Sequence, residues 1–119
     1  MKKNFKNYFG NEILFSKREY LTRVNKVKTK MRERNIDLFL VASPANQFYL
    51  TGYDGWSFYT PQMVLVTLDE ENPYWIGRQM DSVGAKFTAY LDNKHIIPYP
   101  DTYVASDVKH PIHLSLIHI

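Results

Sequence analysis

Apolar positions along this chain follow two alternating rhythms. Tyr20, Leu21, Val24, Val27 and Met31 recur at three- and four-residue steps, one stripe along a helix of about five turns. Ser16-Lys17-Arg18-Glu19 ahead of it has the form of a capping box, in which the serine oxygen accepts from a backbone N–H and Glu19 reaches back. Asn35 is suited to end that helix. Leu38-Phe39-Leu40-Val41-Ala42 is a continuous apolar run and predicts a strand buried on both faces. Ser43-Pro44 then supplies an N-cap and a first helical residue for a short helix that should stop at Gly52.

Met63 to Leu68 reads as a second buried strand, and Tyr74-Trp75-Ile76-Gly77 as a third. The polar turn Asp69-Glu70-Glu71-Asn72-Pro73 between them predicts a hairpin. Met80, Val83, Phe87 and Leu91 mark the apolar side of a helix over about 80–91, and Ile96-Ile97 a strand ended by Pro98 and Pro100. This alternation predicts an α/β fold: a three-layer mixed β-sheet flanked by helices. Residues 1–14 are expected to form a flexible lead-in, 15–114 the domain, and 115–119 a truncated or non-native tail, because the chain stops without a closing element.

The chain has 119 residues, 45% of them hydrophobic and 15% aromatic. That suits one domain with a real core and argues against disorder over most of the length. The net charge is +3, with the basic excess early in the chain. A nucleic-acid binder is one reading of that bias; a solvated helix face fits better, since the charges alternate with apolar positions. The chain contains no cysteine, which excludes disulfides and thiolate metal sites and agrees with a reducing cytoplasm. No apolar run approaches the roughly 20 residues that span a bilayer, so no membrane partner is expected.

Asn46 to Gln62 holds two glycines and six aromatic residues among hydrogen-bonding side chains. Such a stretch can form a rigid surface for a small polar ligand, or can cap a core with buried tyrosines. Asp54 is expected to shape its own turn, and Asp69-Glu70-Glu71 an acidic turn rather than a paired-carboxylate site. His95 is expected at the surface, and His110 and His113 lack the accompanying ligands of a zinc site. Phosphate-cradling and nucleophile-elbow motifs are absent from the sequence.

Arg-Glu-Tyr (18–20), Asn-Ile-Asp (35–37), Ser-Pro-Ala-Asn (43–46) and Tyr-Leu-Thr-Gly-Tyr (49–53) occur in the order found in the N-terminal domain of the creatinase and Xaa-Pro peptidase superfamily, which the chain resembles. Asp54-Gly55-Trp56-Ser57-Phe58-Tyr59, Gly77-Arg78-Gln79-Met80-Asp81, Gly84-Ala85-Lys86-Phe87-Thr88, Tyr99-Pro100-Asp101 and His110-Pro111 bring it nearest the ectoine hydrolase branch. The resemblance implies a mixed sheet flanked by helices and a role in covering the active site of a dimer partner. In the superfamily the reaction belongs to a second, "pita-bread" domain, where peptidase members hold two divalent metals. This chain is thus expected to be inactive alone, to carry no cofactor, and to work as a homodimer with a C-terminal catalytic domain on a small zwitterionic substrate.

Five residues are candidates for contact with that substrate. Trp56 and Tyr59 can wall a pocket and attract a cation through their faces, or one of them can plug the core. Ser57 and Gln62 can orient polar atoms, or serve as turn and strand-edge residues. Arg78 can pair with a carboxylate in a bidentate manner, with a salt bridge to Asp81 as the competing role. The alternative for the whole chain is a non-catalytic peptide- or protein-binding module of the same fold.

Overall fold

A computed structural model of the chain describes residues 5–55 and 61–100. The elements are β1 (Phe5–Lys6), β2 (Glu12–Ile13), α1 (Lys17–Glu33), β3 (Leu38–Val41), α2 (Pro44–Thr51), β4 (Met63–Thr67), β5 (Tyr74–Arg78), α3 (Gln79–Thr88), a short 3-10 turn (Asn93–His95) and β6 (Ile96–Tyr99). The main sheet runs β3-β4-β5-β6. Its first two pairings are antiparallel, and β5 lies parallel to β6 with α3 as the connection. The fold is therefore a mixed sheet flanked by helices, as the alternation of elements predicts.

Pleating divides the sheet residues between two faces. Val41, Val64, Val66, Trp75 and Ile96 meet Tyr20, Val24 and Met31 of α1, Leu50 of α2 and Ala85 of α3 in one core cluster. Met63, Leu65, Tyr74, Ile76 and Ile97 form a second cluster on the opposite face. All three described helices contribute to the first face, and among the described residues no helix joins the cluster on the second.

Local signals explain most boundaries. Ser16 caps α1 by accepting from the Glu19 N–H at 3.1 Å. Glu19 does not complete the box; its Oε1 accepts from Arg23 Nε at 3.1 Å instead. Asn35 follows the helix with φ of 55°, the left-handed conformation asparagine tolerates at a helix end.

Several expectations are corrected. Residues 5–13 pair as a small antiparallel hairpin in place of a lead-in without structure. Asn7 explains why: its Nδ2 donates to the carbonyls of Lys86 (2.7 Å) and Ala89 (2.8 Å). Those groups belong to the end of α3, where backbone acceptors lack helical partners. β3 is an edge strand and is not buried on both faces; Phe39 is 42% exposed and Leu40 44%. Pro98 does not end β6 but lies within it, at the end of the described sheet, where proline is tolerated.

The largest departure is α3. The helix closes at Thr88, and its apolar stripe points outward: Met80 is 64% exposed, Val83 56% and Phe87 59%. Ser82 and Ala85 are its buried residues. Small side chains on that side let the helix lie close against β5 and β6, and the hydrophobic period alone cannot tell which side does so.

Candidate functional site

The described part of the aromatic, glycine-containing stretch folds inward. Gln47 is buried on α2, and its Nε2 donates to the carbonyls of Val41 (3.3 Å), Ala42 (3.0 Å) and Gln62 (3.2 Å). It thereby ties the end of β3 to the approach to β4. Thr51 Oγ1 donates to the Gln47 carbonyl at 2.7 Å and accepts from the Tyr53 N–H at 3.1 Å. Gly52 caps α2 with φ of 83°. A Cβ there would stand 2.6 Å from Tyr20 Oη and 2.9 Å from the Thr88 carbonyl oxygen. Leu50, Thr51 and Tyr53 are buried, whereas Tyr49 turns outward beneath the Arg23 guanidinium, 4.7 Å from its ring centre. Of the two readings of this stretch, the described residues thus take the core-capping one.

Polar groups gather just beyond this cap. Gln62 Nε2 donates to Asp81 Oδ2 at 3.1 Å. The Tyr53 phenol belongs to the same group: burial first, then the Asp81 carboxylate, push its pKa up to about 12, against a hydrogen bond with Gln62. Tyr99 Oη donates to the Pro61 carbonyl at 2.6 Å. Arg78, half-buried, ends β5 beside Tyr99 and stands at the N-cap of α3. The start of β4, the ends of β5 and β6 and the first turn of α3 therefore bring Gln62, Arg78, Asp81 and Tyr99 to one end of the sheet. Trp56, Ser57 and Tyr59 lie outside the described residues. Described residues on either side of that gap, Tyr53 and Pro61–Gln62, are both fixed to this end.

This arrangement can hold and orient a polar ligand through an amide, a guanidinium and phenol groups. Among the described residues it contains no nucleophile paired with a base, and no group of three or more His, Cys, Asp or Glu that could hold a metal.

The opposite end of the sheet carries a second polar cluster that the sequence did not advertise. His95, expected at the surface, is buried. Its Nδ1 lies 2.6 Å from Asp92 Oδ1 and its Nε2 3.5 Å from Glu70 Oε2. Tyr74 Oη donates to Glu70 Oε1 at 3.0 Å, and Lys94 Nζ approaches the same oxygen at 3.8 Å. Lys28, on the buried side of α1, donates to the Glu70 carbonyl. Burial is the first cause lowering the Lys28 pKa, Arg32 adds to it, and the acidic turn opposes both. The turn 69–71 is thus a bracket between α1, β5 and the segment before β6. Its only sequence signal was a lysine interrupting the apolar stripe of α1.

Fold and site together define a small mixed-sheet α/β domain that presents polar groups at one sheet end. The chain belongs to the Creatinase/Prolidase N-terminal domain family, whose model matches residues 23–113. It is 50% identical over 96 residues to an uncharacterized hydrolase/peptidase of Sinorhizobium fredii, covering 81% of this chain and 24% of that protein. It is 47% identical over 98 residues to the ectoine hydrolase of Halomonas elongata, covering 82% and 24% respectively. Among solved structures, a proline dipeptidase of Streptococcus pneumoniae aligns with a TM-score of 0.66 at 16% identity, over 82% of this chain and 64% of that one. That last likeness concerns the fold. The chain spans about a quarter of the length of the curated relatives it matches.

Proposed function

We propose that this chain is the N-terminal, pocket-covering and dimerisation domain of a cytoplasmic C–N hydrolase acting on a small zwitterion such as ectoine, and is not catalytic alone. The observation that carries this reading is the outward apolar stripe of α3. Met80, Val83 and Phe87 form a continuous exposed row that starts beside the Gln62–Asp81 pair. An apolar row of that kind on a soluble domain marks a surface that another body covers. A catalytic part seated there would meet the sheet end that carries Gln62 and Arg78. Trp56, Ser57, Tyr59, Gln62 and Arg78 then wall and orient the substrate, with Arg78 receiving its carboxylate. Among the described residues no group of three or more His, Cys, Asp or Glu could hold the divalent metal pair of peptidase members.

A chimera tests the proposal. This chain replaces the matching quarter of Halomonas elongata ectoine hydrolase, and ectoine hydrolysis and oligomeric state are measured. Retained hydrolysis as a dimer is expected, with KM raised by about tenfold or more in an Arg78→Ala chimera, on the scale of a lost charge-assisted hydrogen bond. The isolated chain should hydrolyse neither ectoine, creatine nor Xaa-Pro dipeptides. A folded, dimeric chimera without activity, or turnover by the isolated chain, would refute the assignment.

A further inference from the structure

We propose that the outer edge of β3, with the basic groove between it and α1, docks an extended acidic segment of a separate polypeptide by strand addition.

The edge itself is the first observation. β3 ends the sheet, and among the described residues no strand pairs with its outer side. Natural edge strands are usually guarded by lysine, proline, a bulge or a covering element, because an open edge invites another strand. Leu38-Phe39-Leu40-Val41 carries neither lysine nor proline. Phe39 and Leu40, on opposite faces of the strand, are both more than two-fifths exposed.

The groove is the second. A cavity of about 530 Å3 lies between α1, Phe39 and Tyr49, and a smaller one of about 110 Å3 adjoins it through Val27, Lys30 and Phe39, reaching Ile36. The floor is apolar and the helix-side wall is cationic. Lys26, Lys30 and Arg34 line these cavities at four-residue steps, the last at the C-cap of α1. Glu33 is the one acidic residue among the lining side chains, 3.5 Å from Lys30. Among the described residues no carboxylate lies within ion-pair reach of Lys26 or Arg34.

Geometry joins the two. Four residues of helix advance by about 6 Å, and two residues of strand by about 6.6 Å. Acidic residues at alternate positions of an added strand therefore meet the cations at matching intervals. The residues between them point to the other face, toward Leu40. Main-chain hydrogen bonds supply affinity in such docking, and the side-chain row supplies selectivity. A second copy of this chain fits poorly, since it would bring the same three cations against the first set. Nucleic acid matches the charge but not the exposed Phe39, Ile36 and Leu40 or a strand edge that no described strand pairs.

The test uses the 119-residue chain and a fluorescein-labelled peptide alternating valine with glutamate, followed by anisotropy. Binding is expected to weaken with salt, to fall at least about tenfold for Lys26→Glu/Lys30→Glu/Arg34→Glu, and to fall as far when alternate peptide nitrogens are methylated, a change that removes strand donors and leaves the charge. Leu40→Lys should weaken it too, with the melting temperature of each variant confirming the fold. The proposal is overturned if a control peptide alternating valine with lysine binds equally well. It is also overturned if methylation has no effect, if an oligothymidylate of equal charge binds more tightly and displaces the peptide, or if β3 is occupied by a second copy in a dimer that Leu40→Lys dissolves and that excludes the peptide.

Discussion

Replacing Gly52 by alanine separates backbone strain from steric conflict, because the fold supplies its own control. Gly52 and Gly10 share φ of 83°. Around Gly10 a Cβ would meet nothing within 4 Å, whereas at Gly52 it would stand 2.6 Å from Tyr20 Oη and 2.9 Å from the Thr88 carbonyl. Left-handed backbone costs an alanine roughly 1–2 kcal/mol at either site. The smaller unfolded-chain entropy of alanine returns roughly 0.4–1 kcal/mol, equally at both. Only Gly52→Ala adds the conflict. The Thr88 carbonyl is main chain, and Tyr20 is buried and stacked on Tyr90 at 4.7 Å, so neither can move without disturbing the core. Overpacking of this kind costs about 1–3 kcal/mol. Gly52→Ala should therefore fall about 2 kcal/mol below Gly10→Ala, a separation of roughly 8–16 °C in melting temperature for a domain of this size. Urea unfolding followed by tryptophan fluorescence and by circular dichroism measures both variants. Equal stability of the two would show that the Tyr20–Gly52–Thr88 contact is not tight and that this reading of the motif is wrong.

Two further outcomes rest on single contacts. Val83→Ser should change stability by no more than about 0.5 kcal/mol, while Ala85→Leu should cost about 1–3 kcal/mol, the reverse of what residue size and hydropathy suggest; unfolding midpoints decide between them. Acid should weaken the end of the sheet that holds His95. The Tyr74 hydroxyl is the first cause holding the Glu70 carboxyl below its ordinary range; burial acts against it, and His95 and Lys94 assist. Burial also works to raise Asp92, and its hydrogen bonds with His95 outweigh that effect, leaving it lowered. A carboxylate depressed in the folded state stabilises in full above its unfolded pKa, about 4, and that contribution is lost as pH falls through the folded value. Tyr74→Phe should therefore lose less stability than the unaltered chain on descending below about pH 4; parallel acid curves would remove Glu70 from the account.

Much of the scaffold was legible because local chemistry and tertiary placement agree. Ser16, Asn35, Pro44 and Gly52 sit at helix ends where capping and backbone freedom require them. The hairpin of β4 and β5 follows from two apolar runs around a polar turn. What escaped notice depends on partners distant in the chain. Asn7 is fixed by carbonyls some eighty residues away, and nothing beside it in the sequence signals that. His95 is buried with Glu70, twenty-five residues away, near its Nε2 and Asp92 near its Nδ1, and spacing alone does not show the first. At the candidate site, Gln62 and Arg78 were legible as polar residues bordering strands. The link from Gln62 to Asp81 needed the packing of α3 onto the sheet.

The reversed helix explains why sequence and structure differ there, and it also narrows what the domain does. A stripe at helical period states that one side of α3 leaves water, but not which neighbour receives it. Ser82 and Ala85 already bury the sheet side with little apolar area, and Met80, Val83 and Phe87 leave theirs exposed. A helix with two usable sides is what a domain needs when it must pack within itself and against a second body. The Tyr20–Gly52–Thr88 contact then has a role beyond stability. It sets the cap of α2 close against the end of α3, the helix whose first turn carries Asp81 of the Tyr53–Gln62–Asp81 group. If α3 seats on a catalytic part, that contact sets where Gln62 and Arg78 stand over it. In the chimera, Gly52→Ala should then raise KM for ectoine, although the residue itself lies in the core and touches no substrate.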